Sequence, residues 1–184
     1  MHLRFLGAAV LFALPVAAQR VDFGLKAGVP LRAPYPPGLG DDSPRFTAGG
    51  FVDVRLWGPL SAEFNPMWRR VSFDIGREVP STPFRSSTHV LDLPLLGRLT
   101  FRRGGGVRPF VSGGYVRRFF SNTVSGDVLH PRRYNGWDNG GAVGGGVSFP
   151  AGRLRIEPEY RYTHFRQGLV GRQGGHGLVV GLRF

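Results

Sequence analysis

From Arg153 to Phe165 the chain changes character at every residue. Leu154, Ile156, Pro158, Tyr160 and Tyr162 share one parity, and Arg153, Arg155, Glu157, Glu159, Arg161 and Thr163 share the other. The closing run repeats the pattern, with His176, Leu178, Val180, Leu182 and Phe184 on one face. A period of two puts successive side chains on opposite faces of a β-strand. Two environments suit such a strand. In a water-soluble sheet the charged face meets solvent and the apolar face a core, whereas across a bilayer the apolar face meets lipid and the charged face lines a closed lumen. The choice rests on how polar the second face is along the rest of the chain.

Read in order, the chain offers eight such segments. Val21, Phe23, Leu25, Ala27 and Val29 alternate with Asp22, Gly24, Lys26 and Gly28. A second segment runs from about Arg45 to Trp57, with Asp53 and Arg55 on its polar side, and a third from Leu60 to Arg70, with Glu63 on its polar side. The fourth, Thr88 to Phe101, sets Asp92 and Arg98 against Leu91, Leu93, Leu95 and Leu99. Arg108 to Phe120 alternates poorly, and Gly113 and Gly114 predict a bulge there. Asp138 to Phe149, Arg153 to Phe165 and Gly174 to Phe184 complete the set. The connections alternate in length: 30–44, 71–87 and 121–137 are long and without period, while 58–59, 102–107 and 150–152 are short. Long loops at one end and tight turns at the other predict an all-β, eight-stranded, antiparallel up-and-down transmembrane β-barrel, with both termini at the tight-turn end. Trp57, Phe101, Phe149 and Phe184 fall at that end and Trp68, Phe119, Trp137 and Phe165 at the other, as two interfacial girdles require. Pro66, Pro94 and Pro158 lie inside the segments, so bulges or local breaks are expected, because a closed barrel has no edge on which a missing N–H is harmless.

At 184 residues the chain suits one domain. A basic start, an apolar run from Phe5 to Val16 and the small residues Ala17 and Ala18 read as a secretory signal removed after residue 18, leaving a barrel domain over 19–184. That apolar run is short of the ~20 residues of a spanning helix. The sequence has no cysteine, which excludes disulfides and thiolate chemistry. Its formal net charge of +12 resides almost wholly in arginine, Lys26 being the only lysine. For an exported chain no nucleic acid is expected, and anionic lipid and lipopolysaccharide are the available partners.

Four stretches carry a family likeness: HVLDLPLLGRLTF (His89 to Phe101), VRPFVSGGYVRRF (Val107 to Phe119), EPEYRYTHF (Glu157 to Phe165) and GLVVGLRF (Gly177 to Phe184). They resemble the small bacterial outer-membrane β-barrels of the PorT-like and OmpX/OmpA-like kind, over essentially the whole mature chain. The resemblance implies integral insertion in the bacterial outer membrane and a structural or surface-interaction role without catalysis. It also implies that the last strand, ending on Phe184, is read by the barrel assembly machinery.

The polar parity predicts a packed, non-conducting lumen held by a network of Asp53, Arg55, Glu63, Asp92, Arg98, Arg155, Glu157, Glu159, Arg161 and Arg183, since eight strands leave an interior that side chains fill. Glu157 and Glu159, ~6.6 to 6.8 Å apart along one face, could serve as acid and base, but their interleaving with arginines reads better as ion pairing. Gly140 to Gly146 lacks the Lys-Ser/Thr of a phosphate loop and reads as room for bulky lumen side chains. Outer-membrane lipid A deacylases, also eight-stranded, carry a catalytic His two residues before a Ser. Here His164 is followed by Phe165 and Arg166, with no nucleophilic hydroxyl, and His130 and His176 lack matching partners. Such a lipid-modifying enzyme and a soluble lipocalin-like ligand-binding barrel are the competing readings. No metal spacing and no cofactor motif is found. Arg69, Arg70, Arg117, Arg118 and Arg166 fall beside Trp68, Phe119 and Phe165, where they are expected either to contact lipopolysaccharide phosphate or to form a solvated rim.

Overall fold

The computed structural model describes residues 20–31, 40–41, 46–74, 84–101, 106–126, 129–166 and 174–184. The expected signal, residues 1–18, lies outside them, and no described helix is long and apolar enough to cross a membrane. The strands are β1 (Val21–Pro30), β2 (Gly40–Asp41), β3 (Thr47–Trp57), β4 (Leu60–Phe64), β5 (Met67–Asp74), β6 (Phe84–Thr100), β7 (Arg108–Gly126), β8 (Leu129–Ala151), β9 (Leu154–Phe165) and β10 (Gly174–Arg183). β1 pairs with both β10 and β3, which closes the sheet. With β4 and β5 acting as one interrupted strand, the result is a ring of eight antiparallel strands, and β2 adds a two-residue pairing on β5.

The alternation maps directly onto the ring. Leu25 (58% exposed), Leu95 (56%) and Val143 (60%) point outward, while Lys26, Glu63, Glu157 and Glu159 are almost fully buried inside. A lipocalin-like barrel would show the reverse. An exterior so apolar around its circumference is what a hydrocarbon surround accepts and water does not.

The prolines are accommodated by gaps in pairing and not by shifts. Phe64 faces Leu95 and Met67 faces Asp92, so two residues are skipped on each strand and the register is unchanged. Within this gap Asn65 N–H donates to the carbonyl of Pro94 at 3.1 Å. The β8–β9 ladder is interrupted likewise opposite Pro158, between the pairs Gly146–Glu159 and Phe149–Ile156.

Three expectations need correction. Gly113 and Gly114 form no bulge, since both pair in continuous register with β6 and β8. Gly114 faces the lumen, where an added Cβ would strike the Leu95 backbone, so its absence of side chain permits close strand approach. Second, 121–137 is not a loop: β7 continues to Gly126 and β8 begins at Leu129, with Ser121 opposite Asn135 and Thr123 opposite Arg133. Third, the stretch 71–87 shrinks from both ends, because β5 reaches Asp74 and β6 starts at Phe84. Where strands rise beyond a bilayer both faces are solvated, so the polar–apolar alternation that marks a strand vanishes although the pairing does not.

Candidate functional site: an ionic lumen between two rims

The middle of the lumen is one connected ionic network. Lys26 Nζ lies 2.5 Å from Glu63 Oε1 and 3.2 Å from Glu159 Oε2. Arg98 reaches Glu63 at 3.3 Å and Glu157 at 2.7 Å. Arg161 grips Glu159 with two donors, at 2.9 and 2.8 Å. Arg183 joins Glu157 at 3.0 Å, Asp53 at 3.1 Å and Asp22 at 3.2 Å. Hydroxyls and an amide complete it: Ser61 donates to Asp53, Ser112 to Glu159 and Asn65 to Glu63. Glu157 and Glu159 thus each bridge two cations contributed by different strands, and Glu63 bridges three, since Arg161 also lies 3.8 Å from it. Charges taken out of water are tolerable only when paired and hydrogen-bonded in this way. Carboxylates so occupied have lone pairs committed to guanidinium and ammonium donors, which suits cohesion and not general base chemistry.

Aromatic rings form part of the wall. Arg98 stacks over Phe110 at 3.7 Å, and Phe51 lies beneath both Lys26 and Arg183, at 5.1 and 5.0 Å. Bulky groups fit because the facing strand is nearly bare: an added Cβ at Gly144 would come within 2.6 Å of Glu159 Oε1, and one at Gly146 within 2.6 Å of Phe110. Gly140 to Gly146 is therefore the spacing device the sequence suggests.

Above the network the lumen turns apolar. Leu96, Val116, Ala142 and Phe165 form one buried cluster, and Val71, Val90 and Phe120 another. Arg118 lies between them, hydrogen-bonded to Asp92 through two donors at 2.6 and 3.1 Å and stacked 3.5 Å over Phe165. Phe165, expected at the lipid level, is only 2% exposed and points inward.

The expected network residues thus separate. Asp53, Glu63, Arg98, Glu157, Glu159, Arg161 and Arg183 belong to the connected core, while Asp92 forms its own pair with Arg118. Arg155 instead donates to Ser148 Oγ at 2.7 Å and to the carbonyls of Gly106 and Ser148 at 2.7 and 2.9 Å, near the tight-turn end. Arg55 lines the same end with no carboxylate partner among the described residues. Sequence reasoning missed Lys26, Asp22 and the two phenylalanines. The parity Asp22, Gly24, Lys26, Gly28 already places Lys26 inside, and Phe51 and Phe110 share parity with Asp53 and Ser112.

The outer arginines divide as well. Trp68, Leu91, Phe119 and Trp137 stand directly opposite one another on four neighbouring strands and form an outward row. Arg70 and Arg117 face outward beside it: Arg70 Nε donates to Ser87 Oγ at 3.1 Å, and Arg117 lies 4.4 Å over the Trp137 ring. Arg166 is exposed. Arg69 and Arg118 have the opposite parity and line the lumen, contrary to their expected place in an outer belt. Arg133, not singled out in the sequence, also faces outward and donates to Ser121 Oγ at 3.1 Å. His164 is exposed, His176 contacts Tyr160 and Tyr162 on the outer face, and the side chain of His130 lies outside the described residues.

No protein-family model matches the sequence, and no curated protein matches it. Solved structures do share the fold. Neisserial surface protein A superposes with a TM-score of 0.52 at 17% identity, covering 90% of this chain and 97% of that one. A major outer membrane protein from Thermus thermophilus gives 0.60 at 12% identity, covering 90% and 100%. The chain therefore has the fold of the small bacterial outer-membrane β-barrels.

Proposed function

We propose that this protein is a non-enzymatic, integral outer-membrane barrel, exported through a cleaved N-terminal signal, whose lumen is plugged and whose role is structural or surface-interactive. The observation that carries the reading is the inversion of polarity, with ion pairs inside and leucine, valine and aromatic residues outside. Phe184 supports assembly through the terminal strand. It is 60% exposed on the outer face, and its N–H donates to the Phe23 carbonyl at 2.9 Å beside the closing seam. Cell fractionation with surface protease protection tests the location. Recovery in the soluble periplasmic fraction would overturn it. Planar-bilayer recording tests the plug: no porin-like conductance is expected, and large reproducible channels would refute it.

At the outer rim the reading extends to lipopolysaccharide phosphate. Arg70, Arg117, Arg133 and Arg166 flank or lie near the aromatic row, where stems rest against apolar surface while guanidinium groups reach phosphate. Replacing these four with Gln is expected to reduce co-purifying lipopolysaccharide while the barrel still folds. Unchanged association in the folded variant would leave them as a solvated rim.

A further inference from the structure

The tight-turn end of the lumen opens into a well of about 120 Å³ lined by seven arginines, Arg20, Arg55, Arg98, Arg108, Arg153, Arg155 and Arg183, against the carboxylates Asp22, Asp53 and Glu157. The carboxylates are already engaged. Asp22 holds Arg20 at 3.0 Å and Arg183 at 3.2 Å, Asp53 holds Arg183 at 3.1 Å, and Glu157 holds Arg98 and Arg183 at 2.7 and 3.0 Å. Arg55, Arg108, Arg153 and Arg155 make no ion pair among the described residues. Phe184 also borders the well.

Three of these four converge by strand parity. Arg55 shares the inward face of β3 with Asp53, Arg108 that of β7 with Phe110, and Arg155 that of β9 with Glu157. Arg153 sits in the turn that leads into β9. Arg155 is moreover held in place, since its Nε and one Nη are tied to Ser148 and Gly106 at 2.7 to 2.9 Å. Guanidinium groups gathered around a concave site, outnumbering the carboxylates there, repel one another unless an anion enters. Planar donor forks on several sides match the tetrahedral oxygens of phosphate better than a single planar carboxylate.

We propose that this well is a phosphate-binding site, filled either by free phosphate or by a phospholipid headgroup at the rim. It is separate from the outer arginines and is sealed from them by the ionic plug. That it faces the periplasm rests on the outer-membrane reading, but binding by the purified barrel does not, so the two can fail independently.

The test is isothermal titration of the detergent-folded full barrel with inorganic pyrophosphate, and of the barrel in lipid discs with and without phosphatidylglycerol. Saturable pyrophosphate binding that weakens as salt is raised is expected. Arg55→Gln/Arg108→Gln/Arg153→Gln should lose at least about tenfold in affinity, a single charge-assisted contact being worth roughly that factor. Val143→Ala, on the outward face, should bind like the parent. Loss of pyrophosphate binding in phosphatidylglycerol discs alone would identify the lipid headgroup as the occupant. No binding by the parent barrel, or equal binding by the folded triple variant, overturns the proposal. Should the triple variant not fold, Arg153→Gln in the exposed turn serves, and an affinity equal to the parent's counts against the site.

Discussion

The lower and upper halves of the lumen are filled by the same inward parity of the same strands, yet they cohere by different physics. Below, Glu63, Glu157 and Glu159 are bonded into a web in which each of these carboxylates meets two or more cations. Above, Phe165 and Phe120 fill space among Leu96, Val116 and Val90, with the Arg118–Asp92 pair inserted and Arg118 stacked on Phe165. An apolar cluster loses stability in proportion to the volume removed. An ionic web loses it according to what is left unpaired. Removing one carboxylate from the lower half should therefore cost more than its size suggests, and removing both partners of a bridge should cost less than the sum.

The largest effect is expected at Glu63, which faces Lys26 and Arg98 together. Glu63→Leu should destabilise the barrel by about 3 to 5 kcal/mol, because the buried cations Lys26, Arg98 and Arg161 each lose a partner. Adding Lys26→Met should recover part of the loss, as the remaining positions become apolar. Urea unfolding in lipid vesicles measures this, and strict additivity of the two substitutions would show that the bridge is not a unit. Phe165→Ala, in the upper half, should cost about 3 to 5 kcal/mol through the cavity it leaves and the loss of the Arg118 stacking contact. There, no second substitution in the ionic web should rescue it.

The outer face supplies the next contrast. Leu178→Arg should cost about 2 to 4 kcal/mol if the position is near mid-bilayer, and Val180→Arg the same. Tolerance of both in lipid, measured by folding yield and unfolding midpoint, would break the assignment of faces. On the inner face Gly144 is one of the tight spots. Gly144→Ala should cost about 1 to 3 kcal/mol by overpacking against Glu159 and Ser112, whereas Gly145→Ala on the same strand, with only a backbone oxygen at 3.7 Å, should be nearly silent.

How much of this was legible in the sequence follows from the same contrast between faces. Wherever one face meets lipid and the other the lumen, alternation is strong enough to give strand, parity and depth, as at Leu154 to Thr163. Alternation fails at Ser121 to Asn135 because both faces of a strand above the bilayer meet water, and polar residues on both sides look like a loop. It misleads at Phe165 and Arg118, since an aromatic or an arginine at a strand end is equally plausible inside or out until the parity is carried through from Arg161 or Val116. It does not say which charges join. Arg155 and Arg161 have the same parity on one strand, but only the three-dimensional ring decides that one meets Glu159 and the other the carbonyl of Gly106. The prolines signal a problem without its solution, because a gap in hydrogen bonding that keeps register leaves no local sequence mark.

The finest test uses two neighbouring residues of one type. Arg117 and Arg118 are adjacent on β7, so they face opposite ways: Arg117 is exposed over Trp137, and Arg118 is buried with Asp92 and Phe165. Arg118→Gln removes two charge-assisted hydrogen bonds from a shielded carboxylate and should cost about 1.5 to 3 kcal/mol, with little relief from salt because buried pairs are poorly screened. Arg117→Gln loses an exposed cation–π contact and should change stability by only about 0.5 to 1 kcal/mol. If lipopolysaccharide phosphate is its partner, the order reverses when binding is measured in place of folding, and Arg117→Gln becomes the more damaging of the two. Parallel unfolding and lipopolysaccharide-binding measurements on both variants would read this crossing. Equal effects of the two substitutions in both assays would mean that β7 does not present alternate faces to lumen and surroundings at this height.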